Sequence, residues 1–244
     1  TPLYSSAASD VYKRQGPRDA AEQEPMPPFH PSFAALPAEI PVFPLSGALL
    51  LPQGRLPLNI FEPRYLAMVE DAMAAGRMLG MVQGDPSRPR DGAEPQLYTV
   101  GCLGRVSSFA ETDDGRILLT LTGAIRFRIA AEVAGRHGYR RVSADYAPYA
   151  ADLDVAAPPP ALDRDALVGA LRPYFRARGI EANWDAVEQT EDSMLVTTLC
   201  MVCPFDVREK QALLEAKDAG DRAAMLIALM RMGSHGMAPE GRPS

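Results

Sequence analysis

The stretch LPLNIFEPRYLAMVEDAMAAG, Leu56 to Gly76, changes its apolar period partway along. Leu56, Leu58 and Ile60 alternate with Pro57 and Asn59, the two-residue period of a strand with one buried face. After Pro63, Tyr65, Met68, Val69, Ala72 and Met73 recur at three- and four-residue steps, and the spacing predicts a helix. Pro63 suits the first helical position, where its missing N–H costs nothing. Gly76 supplies a left-handed C-terminal cap. Glu62 sits where the helix dipole favours a carboxylate whatever its function. One helix is therefore set early among strands.

The surrounding runs extend that pattern. Ile40–Leu45 and Ala48–Leu51 read as strands around a Ser46-Gly47 turn, and Leu56–Phe61 as the next. Met78–Gln83 reads as a buried strand, and residues 84–96 as a loop carrying Pro86, Pro89 and Pro95. Leu97–Ala110 and Arg116–Thr122 pair around the hairpin signal Asp113-Asp114-Gly115. Ala124–Val133 and Tyr139–Tyr146 pair around Gly135–Gly138. The total is seven or eight strands, mostly antiparallel. Ala151–Ala161, with Pro158-Pro159-Pro160, reads as a linker, and the chain beyond it is helical. Asp163–Arg178 carries Leu167, Ala170, Leu171, Tyr174 and Phe175 on one face and stops at Gly179. A second helix spans Asp192–Cys203, Asp206 with Glu209 forms a capping box for a third, and a fourth comes after Gly220-Asp221.

The two ends stand apart. Ser5–Gln15 back-translates into a transposase adaptor used to build sequencing libraries, and Thr1–Tyr4 fits its continuation. Residues 1–15 are read as translated reagent and left out of the fold, with Met26 as the expected start. Residues 16–39 are Pro-, Ala- and Glu-rich without periodicity and read as a flexible lead-in. Residues 233–244 read as a disordered tail. The expected units are thus a β domain over 40–150, a linker over 151–161 and a helical subdomain over 162–232.

Composition narrows the function. The chain is 47 % hydrophobic and 23 % charged, an ordinary globular balance. No run approaches the ~18 apolar residues of a membrane span, and a cytoplasmic location is expected. Residues 40–150 hold twelve arginines against eleven carboxylates, and residues 151–244 ten basic against fifteen acidic side chains. Neither region has the basic stripe of a nucleic-acid binder. Three cysteines, Cys102, Cys200 and Cys203, are too few and too odd for a disulfide framework and fit a reducing compartment. Cys200 and Cys203 spell C-x-x-C, but a zinc site needs two further ligands and no second pair exists. They read as buried thiols at a helix end, and no metal or cofactor is expected.

Catalytic patterns are missing as well. There is no phosphate-binding G-x-x-x-x-G-K-[ST], no G-x-S-x-G and no H-E-x-x-H. His30, His137 and His235 fall in tails and a turn, where none is oriented as a general base. Asp113-Asp114 and Glu191-Asp192 fall at turn and helix-start positions, where turn formation and N-capping account for them.

Two stretches carry more than fold texture. The first is Ile40-Pro41-Val42-Phe43-Pro44-Leu45 with Leu56-Pro57-Leu58-Asn59-Ile60-Phe61-Glu62-Pro63-Arg64-Tyr65. The second is Asp114-Gly115-Arg116-Ile117-Leu118-Leu119-Thr120-Leu121-Thr122-Gly123 running into Arg126-Phe127-Arg128-Ile129. Together they resemble the substrate-binding N-terminal domain of the Lon protease, in its stand-alone bacterial form. Cys203-Pro204-Phe205 and Glu209-Lys210-Gln211-Ala212-Leu213-Leu214 are similar to the same group, and the likeness runs from Ile40 to Met232. It implies an α+β fold: a PUA-like antiparallel β pseudo-barrel with one early helix, followed by a C-terminal helical bundle. It also implies binding of unfolded or exposed polypeptide segments, in connection with a protease system, rather than cutting them. The chain carries no segment resembling the ATPase module or the Ser–Lys proteolytic site of full-length Lon.

Candidate peptide-binding residues are Leu49, Leu50, Leu51, Phe61, Arg64 and Tyr65. Each also has a packing reading: Phe61 and Tyr65 as core at a strand-to-helix junction, and Arg64 as an ion-pair partner. An open strand edge is a further ingredient, because extended peptides can add to one. PUA-like folds also bind RNA, and Arg126, Arg128, Arg140 and Arg141 are where that reading would look. The near-neutral barrel weighs against it.

Overall fold

The computed structural model describes residues 31–88, 95–154 and 162–235. Residues 1–30, with the adaptor reading and most of the lead-in, lie outside the described residues, as do 155–161 of the expected linker and 236–244 of the tail. Six strands form one mixed sheet: β1 (Glu39–Pro44), β2 (Arg55–Ile60), β3 (Met78–Val82), β4 (Val100–Glu111), β5 (Ile117–Arg136) and β6 (Tyr139–Asp145). Helix α1 (Pro63–Ala74) joins β2 to β3. The C-terminal part holds α2 (Arg164–Arg178), α3 (Trp184–Gln189), α4 (Asp192–Val202), α5 (Val207–Glu215) and α6 (Ala219–His235).

The strand order is β2-β5-β4-β3-β1-β6, and β6 pairs back onto β5. Five strands thus close a ring, with β2 outside it as a flap. Every pairing is antiparallel except β1 with β3. That parallel pair exists because α1 lies between its strands in sequence, as parallel connections require a crossover.

Strand β5 makes the closure possible. Its first part, Ile117–Thr122, pairs with β2, and its later part, Arg128–Arg136, pairs with β6. A register shift near Gly123 leaves Ala124 without a partner on β4 and bends the strand there. Gly123 is required by contact. A Cβ at this position would stand 2.0 Å from the Leu51 carbonyl oxygen. The loop before β2 lies across the bend, with Gln53 N donating to Gly123 O at 2.8 Å and Gly123 N to Gly54 O at 2.8 Å.

Two cores result. Ile40, Val42, Leu103, Ile125, Phe127 and Val142 fill the barrel. The other core lies between the sheet and the helices and includes Leu56, Leu58, Leu121, Leu171, Leu199 and Leu213. In α1, Pro63 opens the helix and Tyr65, Met68, Val69 and Ala72 form its buried face, as the spacing predicts.

Buried polar groups join barrel to bundle. Gln83 at the end of β3 donates to the Val207 carbonyl at 3.2 Å and to Gln211 Oε1 at 3.1 Å. Gln211 donates onward to Val100 O at 3.1 Å and Glu215 Oε1 at 2.7 Å. Lys210 Nζ donates to Gly47 O at 2.6 Å, and burial lowers its pKa. Such groups are tolerated in a core only with partners, so they fix where α5 can sit.

Several expectations need correction. Ala48–Leu51 is not a strand, and Arg116–Thr122 and Ala124–Val133 are one strand, which turns eight runs into six. Helix α3, capped by the Asn183 side chain on Ala186 N, was not anticipated. The first residues of the expected linker are part of a 3-10 segment, Ala147–Leu153. Gly233–His235 belong to α6. The hairpin turns fall where expected: Arg136 faces Tyr139 across His137-Gly138, both at positive φ.

Candidate functional site

Strands β2, β5 and β4 form an amphipathic ribbon beside the closed barrel. On its inner side Leu56, Leu58, Ile60, Ile117, Leu119 and Leu121 are buried against the helices. The outer side is set by register, because directly opposed residues share a face. Asn59 faces Leu118, which faces Ala110, and Pro57 faces Thr120, which faces Ser108. At the far end Arg55 faces Thr122, which faces Arg105. Residues 55, 57, 59 and 61 are all exposed while 56, 58 and 60 are buried, so the alternation carries Phe61 onto the solvent side.

This face is unusually apolar for solvent. Leu118 is 46 % and Phe61 62 % exposed, against a general tendency of Leu and Phe to be buried. Ala110 and Pro57 extend it. Thr122 Oγ1 donates to Ser107 Oγ at 2.9 Å, and Ser107 Oγ donates to Thr120 O at 3.1 Å, which occupies the hydroxyls locally. Phe109, 39 % exposed, is registered with Leu119 and so lies on the opposite side of the ribbon. Along the outer edge of the flap, β2 has no second ladder partner among the described residues. Pro57 sits in the middle of that edge and offers no N–H, as edge strands commonly arrange.

The charges nearby are mostly answered. Arg64 Nε pairs with Glu62 Oε2 at 3.2 Å and its guanidinium lies 4.6 Å from the Tyr65 ring centre. Arg116 pairs with Asp114 at 2.9 Å in the β4–β5 turn, and the Thr112 hydroxyl bonds to the same carboxylate, which lowers the Asp114 pKa. Arg55 is exposed and takes part in no ion pair among the described residues.

The six candidate residues separate. Leu49, Leu50 and Leu51 are at most 2 % exposed, packed beneath the flap, and as core residues they are unable to contact a peptide. Tyr65 is likewise buried, its ring 4.4 Å from that of Phe43. Phe61 and Arg64 are at the surface. Leu118, Ala110, Pro57 and Arg55, which the structure places on the exposed face, were not among the sequence candidates. The legible signal was the alternation itself: Leu118 stands out of phase with Ile117, Leu119 and Leu121.

The arginines of the RNA reading are also placed. Arg126 is buried, and Arg140 and Arg141 pair with Glu132 and Glu39. Only Arg128 of the four is exposed, so they form no continuous basic track. Cys200 and Cys203 are buried, and burial pushes both thiols up to about 12, away from the thiolate that redox or metal chemistry uses. Among the described residues no group of three or more His, Cys, Asp or Glu side chains is placed to hold a metal ion. No described helix is long and apolar enough to cross a membrane.

Comparison with known proteins agrees with this architecture. Residues 39–232 match the family model of the ATP-dependent protease La (LON) substrate-binding domain. The chain is 28 % identical over 125 residues to the Lon protease of Anaeromyxobacter dehalogenans, covering 51 % of this chain and 15 % of that protein. It is 25 % identical over 205 residues to Lon protease 1 of Thermus thermophilus, covering 79 % of this chain and 24 % of that protein. The curated relatives are thus several times longer than the segment they share with it. Two solved structures have the same fold. The Lon N-terminal domain protein from Xanthomonas campestris gives a TM-score of 0.53 at 23 % identity, covering 78 % of this chain and 97 % of that one. The N-terminal domain of Mycobacterium avium complex Lon protease gives 0.52 at 18 %, covering 79 % and 97 %. Fold, strand-to-helix junction and family model converge: this chain belongs to the Lon substrate-binding domain family.

Proposed function

We propose that the chain is a non-catalytic polypeptide-recognition module that engages unfolded or exposed segments in the cytoplasm, in connection with a Lon-type protease system. The observation carrying this reading is the outer face of the β2–β5–β4 ribbon, where Phe61 and Leu118 stay exposed near a strand edge that has no partner among the described residues. Exposed apolar groups gathered on one face are a feature of binding surfaces. The surface is rigid because its inner side is part of the core. Phe61 and Arg64 lie at its border, whereas Leu49, Leu50, Leu51 and Tyr65 support it from within. Nucleotide hydrolysis and peptide cleavage are not part of the proposal.

The test is a titration of residues 26–244 into a fluorescently labelled unfolded polypeptide and, separately, into a labelled RNA, followed by anisotropy at low and moderate salt. Saturable binding of the polypeptide that persists in salt supports the proposal. Binding of RNA alone, collapsing as salt rises, overturns it, because counterion release makes phosphate recognition steeply salt-dependent.

A further inference from the structure

Resting on the polypeptide-recognition reading, we infer that the ribbon selects extended segments in which an acidic side chain stands four residues from a large apolar one. The acid seats at Arg55 and the apolar group at Leu118 and Phe61. The register supplies the spacing. Arg55 faces Thr122 and Asn59 faces Leu118, so the cation and the apolar centre are four residues apart along β2 and β5 alike. At ~3.3 Å per residue that is about 13 Å. An extended ligand lying along the strands has the same rise, and its residues i and i+4 point to one face.

Charge complementarity names the occupant. Arg55 is an exposed guanidinium without an ion-pair partner among the described residues, whereas Arg64 and Arg116 at the apolar end are already paired. A carboxylate is the group a lone guanidinium holds best, through two parallel hydrogen bonds. The ligand docks on the face and not by adding to the β2 edge, because Pro57 removes a donor from the middle of that edge. Arg55, with Arg105 across Thr122 from it, is a short pair beside an aliphatic surface and a poor match for a phosphate backbone, which needs a longer run of cations.

Two short fluorescein-labelled peptides on a Ser/Thr/Gly background test this. One has Leu followed four positions later by Glu, and the other has Lys in place of that Glu. Wild-type protein is expected to bind the Glu peptide about fivefold more tightly at low salt, with the gap closing as salt rises. Arg55→Glu should reverse the order of the two peptides, and Leu118→Ser should weaken both. Both variants change exposed side chains and should melt with the wild type; a reversed preference has no origin in misfolding. Equal binding of both peptides, unchanged in Arg55→Glu, overturns the charge selection. If Leu118→Ser still weakens both in that case, the recognition reading stands. Absence of saturable binding by either peptide overturns reading and inference together.

Discussion

Arg126 holds Asp152 through three hydrogen bonds: from its backbone N at 3.0 Å, from Nε at 2.8 Å and from Nη2 at 2.8 Å. The same guanidinium reaches the bundle, with Nη1 donating to Leu214 O at 3.1 Å and Ala216 O at 2.6 Å. It also lies 4.7 Å from the centre of the Tyr149 ring. One side chain therefore ties the barrel wall, the 3-10 segment and the end of α5 together. Both partners are nearly buried, at 5 % and 11 % exposed. Removing one partner of such a pair leaves the other charge uncompensated. Asp152→Ala is expected to lower stability by about 3 kcal/mol, read as a fall in the denaturant midpoint at unchanged slope. A loss below about 1 kcal/mol would mean that the strut contributes little.

Gly123 lets two backbones touch. With the Leu51 carbonyl oxygen 2.0 Å from the position of a Cβ, no rotamer change relieves the clash. Gly123→Ala must push the Leu51–Gly54 loop off the β5 bend and break both hydrogen bonds there. A cost of at least about 3 kcal/mol is expected, seen as loss of soluble protein or a large drop in Tm. Gly115→Ala, at a solvent-exposed turn with nothing within 4 Å, meets no such clash. Its positive φ of 77° should cost only about 1 kcal/mol.

Asp71 on α1 is clasped by the β5–β6 hairpin. Tyr139 O–H donates to it at 2.7 Å, and Arg136 and His137 lie within 3.1 Å of it. The Tyr139 hydrogen bond first, then the Arg136 and His137 charges, hold its pKa below the ordinary 3.8 against an opposing effect of burial. A depressed carboxylate pKa contributes stability that is present above the unfolded value and is lost as pH falls through the folded one. Asp71→Asn should therefore melt below wild type at pH 7, and the gap should close as pH drops below about 4. Thermal melts of both proteins across that range decide it. A gap that is constant with pH would show that the clasp is steric and not ionic.

The C-x-x-C pair should be silent in the native state. Cys200 and Cys203 are buried with thiols pushed up to about 12 by desolvation, and Cys102 is raised by the same cause. A thiol-specific reagent at pH 8 should leave all three cysteines unmodified in native protein and label all three in denaturant. Rapid native labelling of either residue of the pair would return redox chemistry to consideration.

Much of the fold is legible along the chain. The Leu56–Gly76 alternation and its change at Pro63 fix β2 and α1. The Asp206–Glu209 box sets α5, with Asp206 Oδ1 accepting from Glu209 N at 2.8 Å and Glu209 Oε2 from Asp206 N at 2.8 Å. Ala48–Leu51 misleads because an apolar run is what any fully buried segment looks like, extended or not. Strand β5 reads as two because Thr122-Gly123 has the texture of a strand end, while its continuation past the bend shows only in the pairing with β4 and β6. Nothing local shows that Lys210 and Arg126 will be buried, because the carbonyls that surround them come from distant parts of the chain.

The sequence by itself determined the periodic elements, their caps and turns, and the side of β2 and β5 that is apolar, because these depend on spacing and on backbone rules acting within a few residues. Only the tertiary structure decided that Leu49, Leu50 and Leu51 are core while Leu118 and Phe61 are exposed. Burial depends on which surface another part of the chain comes to cover. Here the helices cover the inner side of the ribbon, and no described residue pairs along the outer edge of β2.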